Sequence, residues 1–335
     1  MRSGANISWS VVMTVKEPAP LVMANVGWHL SLGATEVHVY LDDPEDSVAD
    51  QLEVVDRVNV IRCDDAHWDR MTVSPTGTRQ TRRQGVNATD AYRRTKTDWM
   101  IHLDADEFLM PERPIGQLVA EYARKGRFLR IPPWERTYLT SSAPQSLFEG
   151  GFRLPYVGKL KDDQNTFWRA TPFLTKGLTG HSVGKALVPT GKDWRIGIHS
   201  PREGERRLLG DYVPEIALLH FDGMTPLHWM LKVLRYAHLP REVVEGMLGG
   251  HRREQVLMAL RRSQSHARLL QFHNRLKVTD GGLRARLEAR DMFVDAPFEP
   301  AEQIAAHLGY TPDLSVDGFD ALLRERASDL LDRLK

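Results

Sequence analysis

Strand-like and helix-like segments alternate along residues 1–110, and this alternation limits the fold more than any other feature of the sequence. Residues 8–15 are a short apolar run rich in valine, which is typical of a strand buried on both faces. Residues 21–32 repeat apolar side chains at helical spacing, and residues 36–41 then alternate like a second strand. Because alternating strands and helices build βαβ units, the sequence predicts an α/β fold with a mainly parallel sheet and helices on both faces.

The pattern continues for several more segments and then becomes irregular. Residues 59–62 predict a third short strand, residues 78–96 a polar helix with one wet face, and residues 99–103 another buried strand. Residues 127–222 contain short strand-like runs between loops rich in proline and glycine. Loops of that length usually carry function or cover a site.

The last third of the chain is helical in pattern and divides by charge. Residues 225–290 carry 13 Lys and Arg against 5 Asp and Glu, whereas residues 291–335 carry 4 against 10. We therefore predict an α/β domain over residues 1–225 and a helical C-terminal extension over residues 226–335. The basic helices could approach an anionic membrane or a phosphorylated acceptor, or they could pair with the acidic tail.

The totals for the whole chain exclude several classes of protein. Its 335 residues carry 45 basic and 44 acidic side chains, so the net charge of +1 gives no reason to expect a nucleic-acid partner. A single cysteine, Cys63, excludes an internal disulfide and a cysteine-rich zinc site. Neither a signal peptide nor an apolar run of about 18 residues is present, which predicts a cytoplasmic protein with room for peripheral contact at the inner face of a membrane.

Two carboxylates at alternate positions, Asp104 and Asp106, directly follow the predicted strand of residues 99–103. In an open α/β sheet, this carboxyl edge is where ligands bind. Carboxylate oxygens suit Mg²⁺ or Mn²⁺, which bind one or two carboxylates while substrate phosphates fill other positions. A solvated acidic turn is the alternative, but the apolar residues on both sides favour a rigid site.

The order of these motifs resembles glycosyltransferase family 2 and its relatives, over roughly residues 8–232. The similarity lies in a strand ending in Thr14-x-Lys16-Glu17, a strand ending in acidic residues, a polar helix, and the strand that leads into Asp104-x-Asp106. The run DADEF is similar to that of one glycosyltransferase-like subgroup. The resemblance implies a Rossmann-like GT-A domain, a nucleoside diphosphate sugar as donor, and a saccharide or lipid-linked acceptor.

The resemblance also implies roles for residues at the ends of the first two strands. Thr14, Lys16 and Glu17 would contact the donor, because a hydroxyl and a carboxylate can bond ribose hydroxyls or base edges. Asp42 or Asp43 would bind the pyrimidine or the ribose. Each also has a simpler interpretation, since Glu17 suits a helix start and Asp43 precedes a proline in a turn.

Further donor contacts are implied in the polar helix and beyond. Arg83 and Asn87 match an Arg/Asn pair that supports the nucleotide, although a solvated helix face would also explain them. Lys185 matches a Gly/Lys strand that follows the acidic motif in the subgroup. Either its ammonium or that of Lys232 could neutralise the departing diphosphate, whereas surface positions are the usual place for lysine.

The metal set and the general base complete the predicted site. His220 follows a strand-like run at the position where a GT-A enzyme would place a third ligand beside Asp104 and Asp106, and a neutral imidazole binds Mn²⁺ readily. A base must lie within about 3 Å of the acceptor hydroxyl, and Asp163 and Asp222 are the candidates.

These residues predict a metal-dependent glycosyltransferase that uses Mn²⁺ or Mg²⁺. Two alternatives would use the same carboxylates. A metal-dependent nucleotidyl or phosphoryl transferase would release pyrophosphate, whereas glycosyl transfer releases a nucleoside diphosphate. A non-catalytic nucleotide-sugar-binding protein would bind the donor and release neither product.

Overall fold

A computed structural model describes residues 7–74, 79–139, 144–236, 239–247, 250–262 and 265–331. Within these ranges the side chains at positions 160, 163, 247 and 262 are not described. The chain divides into two compact units. Unit 1 comprises residues 1–132, 183–218 and 300–312, and unit 2 comprises residues 133–182, 219–299 and 313–335.

The strands and helices of the described residues follow one another in mixed order. The strands are β1 (Trp9–Val15), β2 (Glu36–Leu41), β3 (Val58–Arg62), β4 (Trp99–His102), β5 (Glu107–Pro111), β6 (Phe128–Ile131), β7 (Pro133–Thr137), β8 (Gly151–Arg153), β9 (Lys185–Pro189), β10 (Arg195–Ile196), β11 (Pro201–Glu203), β12 (Arg206–Arg207), β13 (Gly210–Tyr212), β14 (Ile216–His220) and β15 (Phe293–Val294). The helices are α1 (Ala19–Ser31), α2 (Val48–Glu53), α3 (Asp65–Met71), α4 (Gln80–Arg94), α5 (Ile115–Tyr122), α6 (Leu160–Phe167), α7 (Pro226–Leu234), α8 (Arg241–Met247), α9 (Gly250–Arg262), α10 (His266–Lys277), α11 (Gly281–Glu288), α12 (Ala301–Leu308), α13 (Val316–Arg326) and α14 (Ser328–Leu331), with a 3-10 helix at Trp168–Phe173.

Unit 1 is built on a twisted sheet whose strand order is β13-β6-β9-β4-β1-β2-β3. Strands β1, β2, β3 and β4 run parallel, and β9 runs antiparallel between β4 and β6. All seven residues of β1 are buried, as expected of a central strand covered on both faces. The predicted mixed α/β fold with a mainly parallel sheet is confirmed.

Helices α1 and α4 of unit 1 position the loops at the carboxyl edge of this sheet. Helix α1 begins immediately after Pro18, whose fixed backbone suits a helix start, and most of its side chains are buried. Helix α4 is amphipathic, because Gln84, Asn87 and Ala88 are buried while Arg82 and Arg93 are exposed. One face of α4 therefore turns toward the sheet and the other is open to solvent.

Unit 2 combines a small sheet with a helical core. Strands β15, β8, β7 and β14 are neighbours in that order, and the chain enters unit 2 within β14. Trp229 of α7, Val256 of α9 and Phe272 of α10 are fully or almost fully buried in one apolar cluster. The helical pattern predicted after residue 225 is confirmed.

The two units are interleaved along the sequence, so each is assembled from separate stretches of chain. Residue 225 lies inside unit 2 and not at one of the points where the chain passes between units. The functional division into residues 1–225 and 226–335 stays a prediction. Across the part of the chain that is described, no helix has the length and apolar character needed to cross a membrane.

Candidate functional site

The carboxyl ends of β1, β2 and β4 meet at one edge of the unit 1 sheet. Val15 is paired with Leu41 in parallel register, and Val12 is paired with His102. The ends of these strands and the segments that follow them hold the predicted donor and metal residues within 14–17, 42–43 and 104–106. Adjacent parallel strands therefore bring these three predicted groups to a common edge, as the sequence pattern required.

Asp104 is held by side chains from two other elements. The Lys185 ammonium on β9 lies 2.8 Å from Asp104 Oδ2 and 3.0 Å from Glu107 Oε2. Gln84 of α4 donates from Nε2 to Asp104 Oδ1 at 2.8 Å, and the Asp104 backbone N–H donates to Glu107 Oε2 at 2.8 Å. Both oxygens of Asp104 thus have fixed directions before any ligand binds.

Lys185 and Glu107 have no exposed side-chain surface, so their charges are buried together. Burial by itself lowers the pKa of Lys185, but the carboxylates of Asp104 and Glu107 outweigh that effect and raise the pKa above its usual value. The side chain therefore stays an ammonium at neutral pH. The structure places Lys185 as a residue that positions Asp104, and its predicted contact with a diphosphate stays untested.

Helix α1 fixes the backbone of the same loop. Asn25 donates from Nδ2 to the carbonyl oxygens of Ala105 and Glu107, at 3.1 and 2.8 Å. The ring of His29 accepts at Nε2 from the backbone N–H of Leu109, at 3.3 Å. Two carbonyl groups and one amide group of the loop are therefore paired inside the protein, and these bonds fix the course of its backbone.

The charge of this cluster fits a divalent cation. Asp104, Asp106 and Glu107 contribute three carboxylates, whereas Lys185 contributes one ammonium. His102 adds no compensating charge, because burial lowers its pKa to about 4 and the ring is neutral at pH 7. The remaining excess of two negative charges and the oxygen ligands match Mg²⁺ or Mn²⁺.

Thr14 belongs to a buried chain of hydrogen bonds. Asn87 donates from Nδ2 to Thr14 Oγ1 at 3.1 Å, and Asn87 Oδ1 lies 2.9 Å from His67 Nε2. Burial lowers the pKa of His67, so its ring is neutral and donates from Nε2 to the amide oxygen. Asn87 is fully buried and fixes the orientation of the Thr14 hydroxyl.

The two aspartates after β2 differ in their surroundings. Arg83 grips Asp42 with two hydrogen bonds, of 2.8 Å from Nε and 2.6 Å from Nη2. Asp43 forms a more exposed pair of 3.4 Å with Lys16. The sequence left both aspartates open as donor contacts, and in the structure Asp42 is the more buried of the two and makes the shorter contacts. Glu17 lies half-buried beside this edge.

Unit 2 contains a cluster of buried charges among its own residues. Glu135 on β7 accepts hydrogen bonds from the backbone N–H groups of Thr179 and Gly180, both at 2.6 Å. Lys277 at the end of α10 lies 3.7 Å from Glu135 Oε1 and donates to Thr179 Oγ1 at 3.0 Å. Such a cluster is tolerated in the interior because each charge has an opposite charge or a hydrogen-bond partner beside it.

Asp222, a predicted base, belongs to this unit 2 cluster. Its Oδ1 accepts from Arg252 at 3.0 Å, and its Oδ2 lies 2.8 Å from the Thr179 hydroxyl. Burial raises the pKa of Asp222, but Arg252 and Lys277 outweigh burial and hold the pKa well below its usual range. A carboxylate with so low a pKa is a weak base.

His220 lies at the end of β14, close to other polar groups of unit 2. Its Nδ1 is 3.8 Å from Glu135 Oε2, and its ring stacks on His181 with centroids 4.7 Å apart. A Cβ atom at position 180 would come within 2.3 Å of His220 Cε1, so only glycine fits there. The other predicted metal ligands, Asp104 and Asp106, belong to unit 1, and the complete metal set stays a prediction.

Two more predicted residues lie in unit 2. Lys232 is half-buried in α7 and is one of the charges that lower the pKa of Asp222. Asp163 belongs to α6, but its side chain lies outside the described residues.

Several residues that shape these clusters were not found from the sequence. The sequence could have indicated Gln84, because it lies three positions before Asn87 on the same helix and so shares the face of that residue. Glu107 directly follows the acidic pair, and no separate role was predicted for it. No sequence pattern indicates the contact between Glu135 and Lys277, since 142 positions separate the two residues.

Known proteins resemble part of this chain. Residues 14–128, about a third of the chain, match the sequence model of glycosyltransferase family 92. The match contains most of the predicted donor residues and supports a glycosyltransferase. It supports the predicted activity without placing the chain in family 2 or in the DADEF subgroup. No curated protein sequence matches the chain.

Solved structures give weaker similarities. HddC from Yersinia pseudotuberculosis has 9% identity and a TM-score of 0.31, with 64% of this chain and 93% of that chain covered. TarS from S. aureus has 10% identity and a TM-score of 0.31, with 76% and 43% covered. A 4-diphosphocytidyl-2C-methyl-D-erythritol synthase has 12% identity and a TM-score of 0.26, with 46% and 66% covered. TM-scores this low establish neither a shared fold nor a shared activity.

Proposed function

We propose that this protein is a metal-dependent glycosyltransferase that moves a sugar from a nucleoside diphosphate sugar to a saccharide or lipid-linked acceptor. The observation that carries the proposal is the acidic segment of residues 104–107, within the part of the chain similar to family 92, where Gln84 and Lys185 fix the direction of the Asp104 carboxylate. This cluster follows a central parallel strand, where α/β proteins bind nucleotides.

The nucleotide half of the donor would bind along the edge of the unit 1 sheet. The Asp42 carboxylate, held by Arg83, would accept hydrogen bonds from the base or the ribose. The Thr14 hydroxyl, oriented by Asn87, would contact the same half of the donor. Lys16 and Glu17 lie just beyond β1 and would contact its outer edge. Pre-oriented groups of this kind reduce the entropy lost on binding.

The diphosphate half would bind at Asp104 and Asp106 through Mn²⁺ or Mg²⁺. The metal would stabilise the negative charge that develops on the leaving nucleoside diphosphate. Lys185 would hold the Asp104 carboxylate in position. Asp163 and Asp222 stay the two proposed bases for the acceptor proton, although the lowered pKa makes Asp222 a weak one.

A thermal-shift panel of nucleotide sugars, with and without Mn²⁺, tests this proposal. We expect one donor to raise Tm only when the metal is present, because a ligand that binds the folded state stabilises it. Asp104→Asn and Asp106→Asn should abolish that rise. Asp193→Asn removes an exposed carboxylate in the same unit and should leave it unchanged. A rise that persists in both site variants would contradict the proposed metal site.

Product analysis separates the proposal from its alternatives. With the donor found in the panel, glycosyl transfer or slow donor hydrolysis releases a nucleoside diphosphate. Release of pyrophosphate from a nucleoside triphosphate supplied with a sugar phosphate would identify a nucleotidyl transferase instead. Donor binding without either product, in the presence of metal and a range of saccharide acceptors, would identify a non-catalytic binding protein.

A further inference from the structure

A basic groove runs along the outer face of α4 in unit 1. Its volume is about 960 Å³, and it is bordered by α3 with the loop after it, by α4, and by residues 195–202. Five arginines line it, against a single carboxylate. The arginines are Arg70, Arg82, Arg93, Arg195 and Arg202, and the carboxylate is Asp90.

The negative charge of Asp90 is already engaged within the protein. Its carboxylate accepts from the Tyr40 hydroxyl at 2.7 Å and from Arg94 Nε at 3.0 Å. It therefore does not neutralise the five lining arginines.

Three of those arginines have no such partner in the described part of the chain. Arg82, Arg93 and Arg202 are exposed and make neither a side-chain hydrogen bond nor an ion pair with any described residue. Each planar guanidinium can grip a carboxylate, sulfate or phosphate with two parallel hydrogen bonds. A groove with three guanidinium groups that have no partner among the described residues is suited to a ligand that carries several anionic groups.

The lining also distinguishes between kinds of polyanion. Among the described residues, those around the groove include Thr72, Thr81 and Gly85 but no tryptophan, tyrosine or phenylalanine. Proteins that bind single-stranded nucleic acids usually stack the bases on aromatic side chains. Threonine hydroxyls and arginine forks, without a stacking surface, suit a chain of hydroxyl groups and anions that has no bases.

We infer that this groove binds an acidic saccharide chain, one that carries carboxylate, sulfate or phosphate groups. The anionic character of the ligand follows from the arginines alone, whereas its saccharide character rests on the proposed function. The groove and the proposed donor site use different sides of α4. Arg83 and Asn87 face the sheet edge, and Arg82 and Arg93 face the groove. Neighbouring positions on one helix would thus serve the donor and an acidic acceptor chain.

Direct binding tests the inference with the intact protein and without donor or metal, so its outcome does not depend on transferase activity. The probes are fluorescent oligogalacturonate, a sulfated hexasaccharide, a neutral malto-oligosaccharide and single-stranded DNA. We expect both acidic saccharides to bind with an affinity that falls as salt rises, and the neutral chain not to bind. Single-stranded DNA should bind more weakly than the acidic saccharides.

A matched pair of triple variants locates the site. R82A/R93A/R202A should weaken binding of the acidic saccharides at least tenfold. R124A/K125A/R169A removes the same charge from exposed positions outside the groove and should change the affinity less than twofold. R82K/R93K/R202K keeps the positive charges but loses the planar guanidinium groups. Its affinity should lie between those of the two alanine variants. Equal thermal unfolding of all variants confirms that they are folded.

Three results would overturn the inference. The native protein could fail to bind either acidic saccharide, or the two alanine variants could lose affinity equally. DNA binding as tight as that of the saccharides, and lost in R82A/R93A/R202A, would instead make the groove a nucleic-acid site.

Discussion

The Lys185 ammonium is buried between the carboxylates of Asp104 and Glu107, so its removal leaves two negative charges facing each other without compensation. We expect Lys185→Met to lower the free energy of unfolding by about 3–5 kcal/mol, the usual cost of breaking a buried ion pair. Urea unfolding measures the change. Mn²⁺ should raise the Tm of the variant more than that of the native protein, because the cation supplies the missing positive charge.

Lys192→Met is the control for this experiment, because Lys192 is exposed beyond the end of the same strand. Its effect on stability should stay within about 0.5 kcal/mol. If the two variants are equally stable, Lys185 is not the compensating charge of the cluster. If Lys185→Met folds, it should also raise the donor KM or lower turnover, because Asp104 loses the group that fixes its direction.

His29 should make stability depend on pH. Burial lowers its pKa to about 4 in the folded protein, whereas an unfolded histidine titrates near 6.5. As pH falls below 6.5, the unfolded chain therefore takes up a proton that the folded protein does not. The stabilisation is complete above pH 6.5 and is lost progressively toward pH 4, by about 3 kcal/mol for this residue.

Urea unfolding between pH 7.5 and pH 4 measures this slope. His29→Gln should flatten the slope even if it lowers stability at every pH, because the variant has no ring to protonate. His307→Gln is the control, since His307 is exposed on α12 and should leave the slope unchanged. Parallel curves for the native protein and His29→Gln would show that His29 does not cause the loss.

For single residues, the sequence identified those that follow strands but not the residues that fix their side chains in position. Asp104 and Asp106 were recognisable because an apolar strand leads directly into them. The pairing of Asp104 with Lys185 spans 81 positions and depends on β9 lying beside β4. Local patterns carry no information about such a contact, and the sequence consequently suggested a diphosphate contact for Lys185.

Helices α1 and α12 pack closely at Gly27. A Cβ atom there would meet Ile304 Cγ2 at 3.0 Å and Leu308 Cγ at 3.1 Å. Alanine favours a helix over glycine by about 1 kcal/mol, but in this position the gain is opposed by a clash with α12. We expect Gly27→Ala to lower the free energy of unfolding by about 1–2 kcal/mol, measured by urea unfolding.

A double-mutant cycle with Ile304→Ala tests the cause. Ile304→Ala removes the side chain that would clash with the added methyl group. Gly27→Ala should therefore lower the free energy of unfolding less in that background than in the native one. Gly246→Ala lies in α8 with no atom within 4 Å of the added methyl, and it should be neutral or stabilising. Additive effects of Gly27→Ala and Ile304→Ala would show that the clash is not the cause.

Whole elements were predicted well where burial dictates the pattern. Strands β1, β2 and β4 differ from the predicted ranges by at most one residue at each end, because their apolar runs are unambiguous. The antiparallel direction of β9 was not predicted, since an apolar strand has the same pattern in either direction. Helix α3 was also missed. Its N-cap, Asp64, is a visible signal, but the helix is short and has little apolar periodicity.

The organisation of the whole molecule was the hardest feature to predict. The change in composition near residue 225 marks where the chain becomes helical, whereas the units are defined by contacts between distant segments. Residues 300–312 lie at the acidic end of the chain yet belong to unit 1 through the packing of α12 on α1. A sequence pattern cannot show that residues 300–312 pack on unit 1, because Ile304 has the spacing of any apolar residue on a helix.

Two fragments that differ only by residues 300–312 test whether this segment belongs to unit 1. Residues 1–312 contain all of unit 1, and residues 1–299 lack α12. Loss of the buried Ile304 and the half-buried Leu308 removes about 3 kcal/mol of apolar burial, which should lower Tm by about 6–12 °C. Supplying residues 300–312 as a synthetic peptide should restore part of the difference. Equal melting of the two fragments would mean that α12 contributes little to unit 1.

A fragment of residues 1–225 that melts cooperatively and binds the donor would support the predicted boundary at residue 225 instead.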